Sequence, residues 1–154
     1  MKKLGNLFIP LVFLIVMSSA VEAGWRAGTA RVVITPADSM WMAGYAARNK
    51  PSEGKINDLY AKAVALEDDY GNRLVIINAE VVGIRRMDRD WLAAELQRRC
   101  GLHPAEFLVS VTHTHSGPEF RVDYPDYSVI PREQVGKSLA YRQLLRGALA
   151  EVAE

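Results

Sequence analysis

Val109-Ser110-Val111-Thr112-His113-Thr114-His115-Ser116-Gly117-Pro118 begins as an apolar run and ends in two histidines followed by a Gly-Pro stop. The apolar part reads as a buried strand over residues 106–112. In extended backbone, positions two apart share a face, so His113 and His115 are expected to project the same way. Gly117-Pro118 prevents the strand from continuing and turns the chain aside. Two of the three histidines in the chain lie here. Neutral imidazole is a zinc ligand, and the pair would supply half of a four-coordinate shell. The competing reading of a His-x-His pair is a chance surface pair. The end of a strand in an α/β sheet is where sites are found, which favours the metal.

Upstream, the spacing predicts a helix over residues 88–100. Asp88 is expected to be its N-cap and Gly101 its stop, with Met87, Trp91, Leu92 and Leu96 as the apolar stripe. Arg89, Asp90, Glu95, Arg98 and Arg99 form a solvated face with no binding role. Before that helix, residues 73–82 read as a strongly apolar strand. Strand, helix and strand in this order make a βαβ unit with a right-handed crossover. The histidine pair should therefore emerge at the carboxyl end of a parallel, central strand. His103, before Pro104, reads as a surface histidine.

Residues 59–67 read as a strand with small side chains at Ala61, Ala63 and Ala65, suited to close packing against another layer. An Ala-rich helix is the rival reading. Asp68-Asp69-Tyr70-Gly71-Asn72 is a turn signal, so this segment and residues 73–82 should form an antiparallel hairpin. A further strand is expected over residues 29–35, closed by Pro36. The intervening loop carries Trp41-Met42-Ala43-Gly44-Tyr45-Ala46 without helical or strand period. Apolar side chains on such a loop either plug a core or line a pocket. Gly44 permits a tight turn or a close backbone approach. Residues 48–57 are polar, rich in turn formers, and read as a flap.

Beyond the histidines, residues 119–134 read as a loop. Its carboxylates Glu119, Asp123 and Asp126 either approach a metal or are simply solvated. A last helix is expected over residues 138–152, with Tyr141, Leu144, Leu145, Ala148 and Val152 on one side. It reaches the end of the chain with no stop signal, which reads as a chain cut within an element.

The first 23 residues read as an export signal: Lys2 and Lys3, an apolar run over residues 7–17 that is short for a membrane span, and Val21-Glu22-Ala23 before the cleavage point. The mature chain, residues 24–154, would then be secreted or periplasmic. Net charge is +1 overall, and removing Lys2, Lys3 and Glu22 brings acids and bases into balance. That composition argues against nucleic acid as a partner. Cys100 is the single cysteine, so no intrachain disulfide forms, and burial at a helix end is its expected fate.

Three stretches taken together resemble the N-terminal domain of the neutral/alkaline non-lysosomal ceramidase family. They are Gly28-Thr29-Ala30-Arg31-Val32-Val33-Ile34-Thr35-Pro36 with Met42-Ala43-Gly44-Tyr45, then Asp58-Leu59-Tyr60-Ala61-Lys62-Ala63-Val64-Ala65-Leu66-Glu67-Asp68, and Thr112-His113-Thr114-His115-Ser116-Gly117-Pro118. Glu80 departs from the pattern, since the family more often has Asp there. The hairpin and the βαβ unit read from the sequence make an α/β fold with a mixed sheet, and the resemblance implies that it is the N-terminal part of a larger catalytic domain. It implies a zinc-dependent amidase, secreted or with peripheral membrane contact, that splits the N-acyl amide of ceramide into sphingosine and a fatty acid. Carried over by motif, His113 is the Zn2+ ligand and His115 the catalytic-site residue beside it. The remaining ligands (a histidine, a glutamate, a tyrosine) and a serine nucleophile would come from sequence beyond Glu154, so this chain alone should bind metal weakly and turn nothing over. Two other readings stand beside it. One is a serine hydrolase using Ser110 or Ser116, although no Gly-x-Ser-x-Gly elbow surrounds either. The other is an exported module that binds a ligand through the aromatic loops at 41–45 and 124–127.

Overall fold

The computed structural model describes residues 24–123 and 130–154. The export signal read over residues 1–23, and Asp126 with the aromatic loop at 124–127, lie outside the described residues. Among the described residues, four strands form one mixed sheet in the order β1-β2-β3-β4. They are β1 (Trp25–Val33), β2 (Tyr60–Asp68), β3 (Arg73–Ala79) and β4 (Phe107–Val111), with helix α1 (Arg86–Cys100) between β3 and β4 and helix α2 (Val135–Glu151) last. The β1–β2 and β2–β3 pairs are antiparallel and β3–β4 is parallel. The hairpin and the βαβ unit expected from the sequence are therefore present, and residues 60–68 are a strand rather than an Ala-rich helix.

Alternation along β2 and β3 explains which face is covered. Ala61, Ala63, Val75, Ile77 and Ala79 are buried, together with Phe107 of β4. Leu92, Ala93 and Leu96 of α1 and Tyr141, Leu145, Ala148 and Leu149 of α2 join them in one core. The small residues at 61 and 63 are buried as their size suggested, whereas Ala65 is exposed. Val64, Leu74 and Leu108 point to the other face and are exposed. Burying each large core side chain contributes about 1.5–3 kcal/mol, so this single helix-covered face carries most of the stability.

Several boundaries differ from the sequence reading. β1 starts four residues earlier than expected because its whole length pairs with β2, from Trp25 opposite Asp68 to Val33 opposite Tyr60. β3 ends at Ala79, although Val81 and Val82 are buried. Their hydrophobicity serves the core beyond the strand. Glu80 turns the chain here: its backbone N–H donates to the Tyr60 carbonyl at 3.0 Å, and its carboxylate accepts from the Tyr60 N–H at 2.9 Å and Lys62 Nζ at 2.6 Å. α2 begins at Val135, after a short 3-10 turn over Arg132–Gln134, so Ser138 lies inside the helix. Its hydroxyl donates to the Glu119 carbonyl at 2.8 Å. Tyr141 donates to the Ile34 carbonyl at 2.8 Å, and burial pushes its phenol well above the usual range.

Asp88 is not the N-cap. Arg85 holds that position without a side-chain cap, and Asp88 sits in the first turn of α1, buried. Its Oδ1 accepts from Arg142 Nε at 2.7 Å and from Arg146 of α2 at 2.8 Å. A carboxylate that would have capped a solvated helix end instead ties the two helices, where desolvation makes each bond stronger. Gly101 terminates α1 as expected, at φ 65°. Cys100 is half-buried and its thiol donates to the Leu96 carbonyl at 3.2 Å. Among the described residues, no helix is long and apolar enough to cross a membrane.

Candidate functional site: a cleft at the histidine turn

β4 lies at the edge of the sheet, not in its centre, and it ends at Val111, before either histidine. The expectation that His113 and His115 alternate along an extended strand is therefore not met. The chain turns at His113, whose φ is 57°. The turn replaces strand alternation as the device that brings the two rings together. Their centroids lie 5.2 Å apart with planes tilted at 55°. His113 is exposed and His115 half-buried.

The loop that carries Trp41 and Tyr45 forms the facing wall. It is anchored by a short antiparallel ladder: Met42 pairs with Pro118, the Ala43 N–H donates to the Gly117 carbonyl at 2.9 Å, and the Glu119 N–H donates to the Trp41 carbonyl at 2.8 Å. Both readings of this loop hold at once. Met40 and Ala43 are buried in the core, while Met42, Gly44 and Tyr45 line an open cleft. Trp41 does both. The cleft has a volume of about 600 Å³, and His113, His115, Glu119 and Arg121 line its polar side. Tyr45 meets His115 edge-to-face, with centroids 5.0 Å apart at 85°.

Two residues other than glycine adopt positive φ among the described residues, Tyr45 at 49° and His113 at 57°. Both line the cleft. Conformations of this kind cost on the order of 1–3 kcal/mol each and gather at functional sites. Gly44, at φ 70°, lies so close to His115 that an added Cβ would be 2.3 Å from its Cγ. The glycine is required on both counts.

The spacing of the two histidine rings is compatible with a metal ion held beside them. Two imidazoles on one tetrahedral zinc, at Zn–N of about 2.0–2.1 Å, place their centroids roughly 5 Å apart. The set is incomplete, however. Among the described residues, no group of three or more His, Cys, Asp or Glu side chains is gathered to hold a metal. Glu119 reaches the cleft, but Arg121 occupies both its oxygens, through Nε at 2.8 Å and Nη2 at 2.5 Å. Asp123 is paired with Arg142 instead. His103 belongs to the loop after α1, where its Nδ1 accepts from the Ala105 N–H at 3.2 Å.

The serines are also placed. Ser110 is on β4 and hydrogen-bonds with Asn78 at 2.9 Å, while Ser116 is exposed in the turn after the histidines. Neither lines the cleft. Sequence reasoning missed Arg48, Val82 and Arg121 as lining residues. Arg48 stood in a stretch read as a flap, yet that stretch is tied down. The Ser52 N–H donates to the Met40 carbonyl at 2.8 Å, and Lys55 pairs with Asp58 at 2.5 Å.

No protein-family model matches the chain. Its sequence is 31% identical to neutral ceramidase of Drosophila melanogaster over 118 residues, which cover 70% of this chain and 16% of that protein. Neutral ceramidase of Drosophila pseudoobscura pseudoobscura is 29% identical over 119 residues, 72% of this chain and 16% of that protein. The chain belongs to the neutral ceramidase family. Its fold is that of a crystal structure of neutral ceramidase from Pseudomonas aeruginosa, with a TM-score of 0.69 at 22% identity over 85% of this chain and 21% of that one. A ceramidase complexed with C2 matches equally well, with a TM-score of 0.69, 22% identity and 20% of its chain covered. The chain thus spans about a sixth of the length of these neutral ceramidase relatives. The α/β sheet that carries the histidine turn is the part of the neutral ceramidase fold that it reproduces.

Proposed function

We propose that this chain supplies the histidine-bearing wall of a zinc-dependent amide hydrolase that cleaves the N-acyl amide of ceramide-class lipids. The observation that carries the reading is the pair of imidazoles 5.2 Å apart at an open cleft, in a chain of neutral ceramidase kinship. His113 would ligate the metal and His115 would act beside it. Zinc, when bound, polarises a carbonyl and brings the pKa of a bound water near 7.

The chain's own residues divide the remaining work. Trp41, Met42, Tyr45 and Val82 offer an apolar wall on which an acyl chain can lie. His115, held against Tyr45, is placed to orient a water or the substrate amide or to take a proton. Arg121 keeps Glu119 paired, so the carboxylate does not compete for the cation. Two imidazoles are short of the three protein ligands that catalytic zinc sites use. The other donors would come from further sequence of a longer protein, and the 154-residue chain alone would not turn over substrate. We also assign residues 1–23 to export, which places the protein outside the cytoplasm with at most peripheral contact with a membrane.

Hydrolysis of a fluorogenic N-acyl sphingosine by the longer protein, with and without chelator, tests this. Activity that chelation abolishes and zinc restores supports it. Activity indifferent to chelation, or stoichiometric labelling of Ser116 by a fluorophosphonate, would replace it with the serine mechanism.

A further inference from the structure

We propose that Arg48 is the positioning residue of this cleft, the group that holds the aromatic loop and the histidine turn in one geometry. The inference deepens the reading of the cleft as a hydrolase site and rests on it for its purpose, though not for its test.

The argument starts from what holds the two walls together. The ladder between residues 41–43 and 117–119 ends before Gly44 on one side and before His115 on the other. Past it, among the described residues, one hydrogen bond crosses between residues 44–48 and 113–116, and it comes from the side chain of Arg48. Arg48 Nη2 donates to the His115 carbonyl at 2.5 Å, and its Nε donates to the Gly44 carbonyl at 3.2 Å. Nη1 reaches Met42 Sδ at 3.4 Å, and the guanidinium lies 5.2 Å from the centre of the Tyr45 ring. One planar cation therefore touches the backbone of both walls and the aromatic ring that packs on His115.

The backbone it holds has a reason to relax. Gly44, Tyr45 and His113 all sit at positive φ. For Tyr45 and His113 that conformation persists only where the surroundings over-determine it. A guanidinium suits the task because its donors are fixed in one plane and can serve two carbonyls while its face stacks on a ring. A lysine ammonium can retain the charge and the ring contact but cannot reproduce the fork. The consequence is specific to His115: with its carbonyl and its neighbouring ring both fixed by Arg48, its imidazole stays edge-to-face on Tyr45 and beside His113.

The test uses the full chain, as wild type, Arg48→Lys and Arg48→Gln. Ring-to-ring NOEs between Tyr45 and His115 report the geometry without any metal, and cross-strand NOEs between Val64 and Ile76 report the sheet. Zinc titration of the same samples gives a second readout. The expected result is loss of the Tyr45–His115 NOEs in both variants with the Val64–Ile76 NOEs kept, and a fall of about 10- to 100-fold in zinc affinity. Retention of the ring contact in Arg48→Gln, or full rescue by Arg48→Lys, would overturn the proposal. Should Arg48→Gln fail to fold, Arg48→Lys decides alone. The outcomes separate from the functional reading. A wild type that takes no zinc at the pair, with NOEs still lost in the variants, defeats the hydrolase reading and keeps Arg48. Zinc uptake with undisturbed NOEs does the reverse.

Discussion

Gly44 and His115 touch so closely that a Cβ on Gly44 would lie 2.3 Å from His115 Cγ and 2.5 Å from Nδ1. Gly44 also sits at φ 70°. Gly44→Ala should therefore lose stability twice over, through left-handed backbone and through overpacking, by about 2–4 kcal/mol in all. Gly71 supplies the control. It has φ 82° but nothing within 4 Å of an added Cβ. Gly71→Ala should lose about 1–2 kcal/mol from the backbone alone. Urea denaturation of the three proteins measures both, and equal losses at the two sites would contradict the contact.

The pairing of Asp88 with Arg142 and Arg146 yields a second expectation. Asp88 and Arg142 are 5% and 6% exposed, so removing the carboxylate takes the buried partner from Arg142, leaving it Asp123 alone, and takes from Arg146 the carboxylate it pairs with. Asp88→Ala should cost about 3–5 kcal/mol. Replacing the pair together, as Asp88→Leu with Arg142→Met, should recover most of that loss, because a buried ion pair is worth little against well-packed apolar side chains. Thermal and chemical denaturation of both proteins decide the matter. A double variant as unstable as the single would show that the network contributes net stability.

Acid should act first through carboxylates whose pKa is depressed. Hydrogen bonds from Arg98 and then Arg99 hold Glu95 down at about 2, against a usual value of 4.5. The His103 N–H lowers Glu106, Lys55 and Thr35 lower Asp58, and the Asn72 side chain lowers Asp68. In each case the folded form binds its proton less readily than the unfolded form. For Glu95 the stabilisation is thus fully present above about pH 4.5 and is lost as pH falls toward 2, and the other three act in the same direction. A carbon-detected titration of Glu95 should find its midpoint near 2. A midpoint at the ordinary 4.5 would mean that its arginine bonds do not persist in solution.

How far the sequence revealed this arrangement depends on the range of the forces involved. The hairpin, the βαβ unit and the Gly101 stop follow from patterning and turn chemistry within a few residues, and these were legible. The role of Asp88 was not, because its partners lie on α2, more than fifty residues away. The same holds for Arg48, whose strongest hydrogen bond spans 67 residues to the His115 carbonyl. The meeting of the two histidine rings was legible, but for the wrong reason. Strand alternation predicted it, whereas a left-handed residue at His113 produces it. Positive φ at a histidine leaves no mark in composition or periodicity, which is why the end of β4 was read too far along the chain.

The central claim is that His113 holds a cation at the cleft with His115 beside it. The direct measurement is a zinc titration of the 154-residue chain with 15N-labelled imidazoles, which resolves the three histidines individually. The account predicts that His113 and His115 respond together and saturably, that His103 stays unchanged, and that His113→Ala abolishes the response of His115. Three histidines shifting alike, or a His115 response that survives His113→Ala, would contradict it.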